Sequence, residues 1–261
     1  MKKSDKEKEV KDEWIERFEK NKSAYRIQAD RNFFIKFRNS PYIQKIVEYV
    51  KLRGNESVLE AGCGSDKFSV TLATFGCEVF ALDCSDGMLA NVELLKKEAE
   101  KYFGKLKLKT IFGDITNLPF ENGTFDLVVN EGVVEHWLDK NERLHVINEM
   151  VRVTKESGYV VIFVPNGKHL LHRWWELTKY PGYVSAPPMT LYDTKKLRKE
   201  LEIAGLKDIK TDGIGAWHSI SQWPRFKFLS LIGSGLNRFI PLPKAVREKF
   251  GVNIAGMGKK K

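Results

Sequence analysis

The stretch Val58-Leu59-Glu60-Ala61-Gly62-Cys63-Gly64-Ser65-Asp66 constrains this chain more than any other. It reads as an apolar strand that runs into a glycine-rich turn, with a helix opening after it. Glycines in such a turn admit φ > 0 and let a ligand approach the main chain closely. Dinucleotide-binding folds use a related turn, G-x-G-x-x-G. Here the third glycine is missing, and Asp66 and Lys67 follow the turn. An acid, Glu60, stands just before it. A pyrophosphate would be repelled by that carboxylate and prefers bare N–H groups at a helix N-terminus. A ligand that carries an ammonium and a sulfonium would be favoured.

The segments that follow extend this reading. Phe68 to Phe75 is helix-like, and Glu78 to Leu82 is a second strand ending in Asp83. An acid there is placed to accept both hydroxyls of a ribose. Asp83 could equally cap the helix that starts near Ser85. A third strand ends at Gly113, with Asp114 on the loop beyond it. The Asp114 carboxylate suits the exocyclic amine of adenine, and Ile115 offers the ring an apolar face. The alternative is an Asx-turn, in which Asp114 bonds its own following backbone. Thr124 to Gly132 gives a fourth strand and its exit, with Asn130 and Glu131 at the end. Parallel α/β sheets bind ligands at the carboxyl ends of their strands. Gly62, Asp83, Asp114 and Asn130 all fall at such ends. S-adenosylmethionine has the cationic end, the ribose and the adenine that these positions would receive.

Four motifs carry a resemblance: VLEAGCGS (58–65), VFALDCS (79–85), GDITNLPFENGTFDLVVNEGVVEHW (113–137) and GYVVIFVPN (158–166). The chain resembles a class I S-adenosylmethionine-dependent methyltransferase of the type 11 group, which includes the ubiquinone and menaquinone methyltransferases. The resemblance spans Glu56 to Asn166 and continues more loosely to Gly215. It implies an α/β, Rossmann-like fold: a seven-stranded, mostly parallel sheet with an antiparallel last strand and helices on both faces. It implies that Glu60, Gly62 and Gly64 line the methionine end of the cofactor, with Ala61 and Cys63 between them. Asp83 would hold the ribose beside Cys84. Asp114 and Ile115, after Gly113, would hold the adenine, with Met88 near its face. Asn130, next to Glu131, would meet the methionine amine or carboxylate. The product would be S-adenosylhomocysteine.

A chain of 261 residues, 42% hydrophobic, is long enough for one α/β domain. We divide it into a helical lead-in (1–52), a Rossmann-like core (53–215), an insertion (216–250) and a last strand with its tail (251–261). Lys2 to Lys20 is charged and helical in pattern. Ala24 to Arg38 is aromatic-rich, and would be either a lid over the cofactor or a helix packed on the sheet edge. Pro41 to Leu52 and Lys140 to Val153 read as helices. A connector with Trp174, Trp175, Tyr180 and Tyr183 ends in Ala186-Pro187-Pro188. Asp193 to Ala204 is an amphipathic helix with an Asp cap and a glycine stop at Gly205. Leu206 to Ile214 is the sixth strand, and Val252 to Gly258 is expected to be the antiparallel last one.

That placement leaves Ala216 to Phe250 between the last two strands. The segment interleaves large apolar residues, such as Trp217, Trp223 and Phe226, with Arg225, Lys227, Arg238, Lys244, Arg247 and Lys249. Such a pattern suits the plane of an anionic membrane surface. It also suits a cap over an apolar acceptor, or a helical cap that buries its own apolar face on the core. The three cysteines, Cys63, Cys77 and Cys84, support neither a disulfide framework nor a zinc site. The charged N-terminus and the lack of a run of about 20 apolar residues lead us to expect a cytoplasmic protein.

The formal net charge is +10. A basic protein attracts nucleic acid and anionic membranes. The cations are spread along the chain, however, and no appended RNA-binding motif is evident. Small or lipid-like acceptors methylated at oxygen or carbon are therefore expected ahead of RNA or protein. A non-catalytic partner subunit that binds the cofactor is a third reading. His136, in Gly132-Val133-Val134-Glu135-His136-Trp137, is the candidate general base. It could instead hydrogen-bond a neighbouring loop. Members of the group that bind a divalent metal use Glu-x-x-Glu-His; here Gly132 fills the first acid position, and no metal is expected. His169, His172 and His218 lie on connectors that could face the acceptor. The oligomeric state is not legible.

Overall fold

A computed structural model describes residues 12, 15–16, 29–64, 67–169, 189–216 and 242–261. The rest of the lead-in up to residue 28, Ser65 and Asp66, the tryptophan-rich connector with His172, and residues 217–241 of the insertion with His218 lie outside the described residues.

Seven strands form one sheet. They are β1 (Ser57–Ala61), β2 (Glu78–Asp83), β3 (Leu108–Phe112), β4 (Phe125–Glu131), β5 (Thr154–Pro165), β6 (Lys207–Ile214) and β7 (Asn253–Lys259). Their spatial order is β3-β2-β1-β4-β5-β7-β6. The first five pair in parallel, and β7 runs antiparallel to both β5 and β6. The order reverses beside β1, so the crevice outside the carboxyl ends of β1 and β4 is where such a sheet takes its ligand.

The central strands are apolar on both sides, as a sheet covered by helices requires. Val160 to Val164 of β5 are all fully buried. Alternate residues feed two cores. Val58, Val79, Leu127 and Val161 face one core, and Leu59, Leu82, Val128 and Val160 face the other. The first core is covered by α1 (Arg31–Arg38), α2 (Pro41–Val50), α3 (Lys67–Ala73) and α4 (Asp86–Phe103). The second is covered by α5 (Lys140–Val153) and α6 (Thr194–Ile203).

The helix starts follow from local chemistry. Ser40, followed by Pro41, caps α2; Asp139 caps α5; Asp193 caps α6. Each side chain accepts an N–H of the first turn that has no partner within the helix. The described part of the aromatic-rich segment contains α1, whose aromatic contacts are with other helices. Phe34 meets Phe103 of α4 with ring centroids 6.0 Å apart, and Phe37 meets Phe68 of α3 at 5.1 Å. Phe68 lies in the first turn of α3, directly after the glycine turn.

The last strand falls where the sequence placed it, within one residue at each end. The described part of the insertion contains α7 (Lys244–Phe250). Its Arg247 is not a free surface cation: Nε donates to Asp212 Oδ1 of β6 at 2.8 Å. Lys45 of α2 reaches the other oxygen of Asp212 at 3.0 Å. α7 is thereby fixed to the sheet. Among the described residues, no helix is long and apolar enough to cross a membrane.

Candidate active site

The strand β1 delivers Glu60 and Ala61, both buried, to the glycine turn. Gly62 and Gly64 have φ of +77° and +53°. L-residues with a Cβ rarely adopt this region, so glycine is required for the path. A Cβ on Gly62 would lie 2.8 Å from Val133 Cγ2, whereas one on Gly64 would meet no described residue within 4 Å. The first glycine therefore lets β1 pack against the exit of β4, and the second borders open space. The turn is held by the N–H groups of Gly62 and Cys63, which both donate to the carbonyl of Leu82, at 2.9 and 2.8 Å.

Asp83, at the end of β2, ties two elements together. Its Oδ2 accepts the Gly64 N–H at 2.8 Å and its Oδ1 accepts the Ser85 N–H at 3.0 Å. Burial raises its carboxyl, and the N–H groups of Gly64, Ser85 and Cys84 pull it back down. The cap of α4 is Ser85 itself, whose side chain accepts from Met88 N. The capping role considered for Asp83 thus belongs to its neighbour.

Glu60 is turned toward α3. Its Oε2 accepts the Ser69 N–H at 2.8 Å and also bonds the Ser69 hydroxyl. Its carboxylate anchors the helix that follows the glycine turn. Gly113 follows β3, and a Cβ there would strike Leu82 at 2.8 Å. Asp114 makes the Asx-turn: its Oδ1 accepts the Thr116 N–H at 2.9 Å. Ile115 and Met88 are buried, and Cys84 is half-buried.

At the end of β4 the Asn130 side chain is fully buried. Its Nδ2 donates to the Ala61 carbonyl at 2.6 Å, stitching β4 to the glycine turn. Its Oδ1 is buried with no protein donor. A buried amide oxygen left unpaired costs roughly 1–3 kcal/mol, so it marks a place for a ligand donor. Glu131 Oε1 accepts from Asn253 Nδ2 of β7 at 3.3 Å.

Beyond Gly132, at φ +72°, a 3-10 turn spans Val134–His136 and buries Val134, Glu135 and His136. The sequence reading used Glu135 only as half of a metal motif, and its burial is the largest surprise of the site. Desolvation pushes its carboxyl up to about 8, and the Glu131 carboxylate adds to the effect. Among the described residues, no group of three or more His, Cys, Asp or Glu could hold a metal ion.

A second polar cluster lies under this turn. Arg143 of α5 donates from Nη1 to the carbonyls of Trp137 and Leu138 at 2.8 and 2.6 Å, and to Thr190 Oγ1 at 2.9 Å. Its Nη2 meets Glu200 Oε1 of α6 at 3.0 Å. Tyr192 donates its hydroxyl to Glu200 Oε2 at 2.5 Å. The Thr190 N–H donates to the Glu135 carbonyl at 2.7 Å. The turn that carries Glu135 and His136 is thereby fastened to α5, α6 and the segment before α6. His169, also buried, sits just after β5.

Residues 59–162 match the family model described as a methyltransferase domain. Over that stretch the chain carries a class I S-adenosylmethionine-dependent methyltransferase domain of the type 11 group. Its cofactor is S-adenosylmethionine. The demethylmenaquinone methyltransferase of Bacillus cytotoxicus is 26% identical over an alignment of 227 positions that covers 77% of this chain and 92% of that one. The malonyl-[acyl-carrier protein] O-methyltransferase of Erwinia billingiae is 31% identical over 144 residues, which are 54% of this chain and 53% of that one. The magnesium protoporphyrin IX methyltransferase of Synechocystis PCC 6803, solved with bound S-adenosylhomocysteine, superposes with a TM-score of 0.62. That pair shares 15% identity and covers 98% of this chain and 99% of the other. Among the described residues, this domain leaves the Gly64 side of its glycine turn open and the Asn130 amide oxygen unpaired at neighbouring strand ends, an arrangement compatible with a cofactor that has a cationic methionine end.

Proposed function

We propose that this protein transfers the methyl group of S-adenosylmethionine to an oxygen or carbon of a small, lipophilic acceptor. The observation that carries the reading is the Gly64–Asp83–Asn130 grouping at the carboxyl ends of β1, β2 and β4. The cofactor supplies an electrophilic methyl group; the chain supplies position and exclusion of water.

In this reading, Asp83 keeps one oxygen on the Gly64 N–H and receives a ribose hydroxyl through lone pairs left over. Asn130 Oδ1 accepts from the methionine ammonium, which satisfies the one polar atom of Asn130 left without a partner. Gly62, Cys63 and Gly64 let the methionine chain lie against the backbone, with Ala61 behind them. Ile115 and Met88 flank the adenine, and Asp114 and Gly113 border it; Cys84 and Glu131 complete the rim. Glu60 acts through α3, whose first turn it holds. His136 stands just past this edge as the base for a hydroxyl acceptor. Holding two reactants in attack geometry contributes about 7–11 kcal/mol, and a positioned base adds about 10²–10⁴-fold.

The relatives named for demethylmenaquinone and, among the structural neighbours, for magnesium protoporphyrin IX favour a small lipophilic acceptor, whereas one relative is named a probable tRNA methyltransferase, the alternative that the test must separate. The test is transfer of a radiolabelled methyl group from S-adenosylmethionine into a fractionated extract, with Asp83→Ala as control. Label in the organic fraction supports the reading. Label in RNA instead would reject the small acceptor and make the +10 charge a substrate-binding feature.

A further inference from the structure

The Glu135 carboxyl has an oxygen with no use inside the protein. The residue is 1% exposed, and Oε2 is buried with no hydrogen-bond partner. The titratable groups around it offer no compensating cation of its own. Glu131 on β4 is another acid. Tyr192, before α6, is neutral, its hydroxyl raised by burial and by Glu200. Arg143 of α5 is paired with Glu200 of α6. His136 is the next residue on the same turn. A carboxylate in such a place would lose its hydration for nothing, so the group keeps its proton. Either oxygen can carry that proton: Oε2 is sealed inside without a partner, and Oε1 is the one turned toward Gly132, where an O–H can donate outward.

The position of this group is informative. Gly132, at the exit of β4, borders open space among the described residues: apart from its chain neighbours, the one described atom within 4 Å of a Cβ built there is Glu135 Oε1, at 3.9 Å. The similar opening beside Gly64 lies at the end of β1, the strand next to β4. Gly132 and Glu135 thus edge the same side of the sheet as the cofactor end of the site.

We infer that the Glu135 carboxyl is the hydrogen-bond donor that receives an oxygen of the methyl acceptor, at the opening beside Gly132. The inference rests on the methyl-transfer reading and narrows its substrate class. The acceptor carries a carbonyl or phenolic oxygen as a hydrogen-bond acceptor, at or beside the atom that takes the methyl. A neutral acid in an apolar site suits this task, because it binds an oxygen on which negative charge builds without repelling it.

The test uses the full chain as wild type, Glu135→Gln and Glu135→Leu. Gln keeps a donor of the same shape, and Leu fills the space without one. The first readout needs no acceptor. Folded Glu135 holds its proton up to about 8, against an ordinary 4.5. Between those values the unfolded chain has lost a proton that the folded chain keeps, so stability falls as pH rises. Thermal midpoints of the wild type should fall through that window relative to E135Q; parallel curves would mean an ionised carboxyl and overturn the inference. The second readout is methyl label transferred to whichever extract fraction the wild type fills. E135L should drop by at least about tenfold, the size of one lost hydrogen bond to a developing charge, while still binding S-adenosylmethionine by calorimetry. E135Q should retain more transfer than E135L and lack the wild-type decline above about pH 8. Transfer by E135L at the wild-type rate overturns the inference and leaves the methyl-transfer reading standing. A wild type that binds S-adenosylmethionine and labels nothing rejects that reading, and this inference falls with it.

Discussion

Asp83 Oδ2 accepts the backbone N–H of Gly64 at 2.8 Å, joining the end of β2 to the glycine turn that follows β1. The residues are nineteen apart in sequence. One carboxylate thus shapes the turn and faces the ligand edge. Asp83→Ala should weaken S-adenosylmethionine binding by about 10–100-fold, from the roughly 1.5–3 kcal/mol of a hydrogen bond to a charged group. Asp83→Asn should lose less, because Oδ1 survives as an acceptor. Calorimetric titration with S-adenosylmethionine checks both.

Gly62 and Gly64 should separate under alanine substitution. Both have positive φ and would suffer backbone strain of about 1–2 kcal/mol. Gly62→Ala also collides with Val133 and should lower the melting temperature further; adding Val133→Ala should restore part of the loss. Gly64→Ala collides with none of the described residues, so its chief effect should be on ligand affinity. Melting curves alongside titrations distinguish these outcomes.

The buried Arg143–Glu200 pair should matter more when broken than when removed. Glu200→Gln leaves the guanidinium without its counter-charge and should cost about 3–5 kcal/mol. Replacing both residues by Met should cost less than the sum of the single changes, although the carbonyls of Trp137 and Leu138 then lose a donor. Denaturant unfolding of the four proteins of the cycle measures the coupling.

Glu149 gives a test at acid pH. Arg152 bonds its carboxylate at 2.7 and 2.8 Å, and the Leu118 N–H adds a third bond at 2.9 Å. The Arg152 bond holds the Glu149 carboxyl below its ordinary value. Its contribution is therefore present above the unfolded value of 4.5 and lost as pH falls through the lower folded value. Glu149→Gln should flatten that part of the acid unfolding curve while melting near the wild type at low pH.

Strand and turn positions were legible because their causes are local. Apolar runs, Gly62, Gly64 and the Asp193 cap act within a few residues, and even β7 could be placed across the insertion. The cluster beneath the 3-10 turn was not legible, because Arg143 and Glu200 are 57 residues apart and meet only when α5 and α6 pack together. The environment of Glu135 was hidden for the same reason. Its neighbours Glu131, Thr190 and Tyr192 gather from β4 and from the segment before α6, and pattern alone reads an acid in a turn as solvated. Arg247 misled in the opposite sense, since nothing nearby in sequence announces Asp212 as its partner.

The place of β7 sets an order on assembly. Among the described strands, β6 borders β7 alone, and β7 follows it by a long excursion of chain. During synthesis, the first five strands emerge able to pair with one another, while β6 emerges with its pairing edge bare. It stays so until Asn253–Lys259 arrives and slots between β5 and β6. Two of the seven strands therefore join the sheet together and late. Until they do, the nascent chain offers the β5 edge, rich in valine and isoleucine, to any passing strand, and chaperone cover would be needed most in that interval.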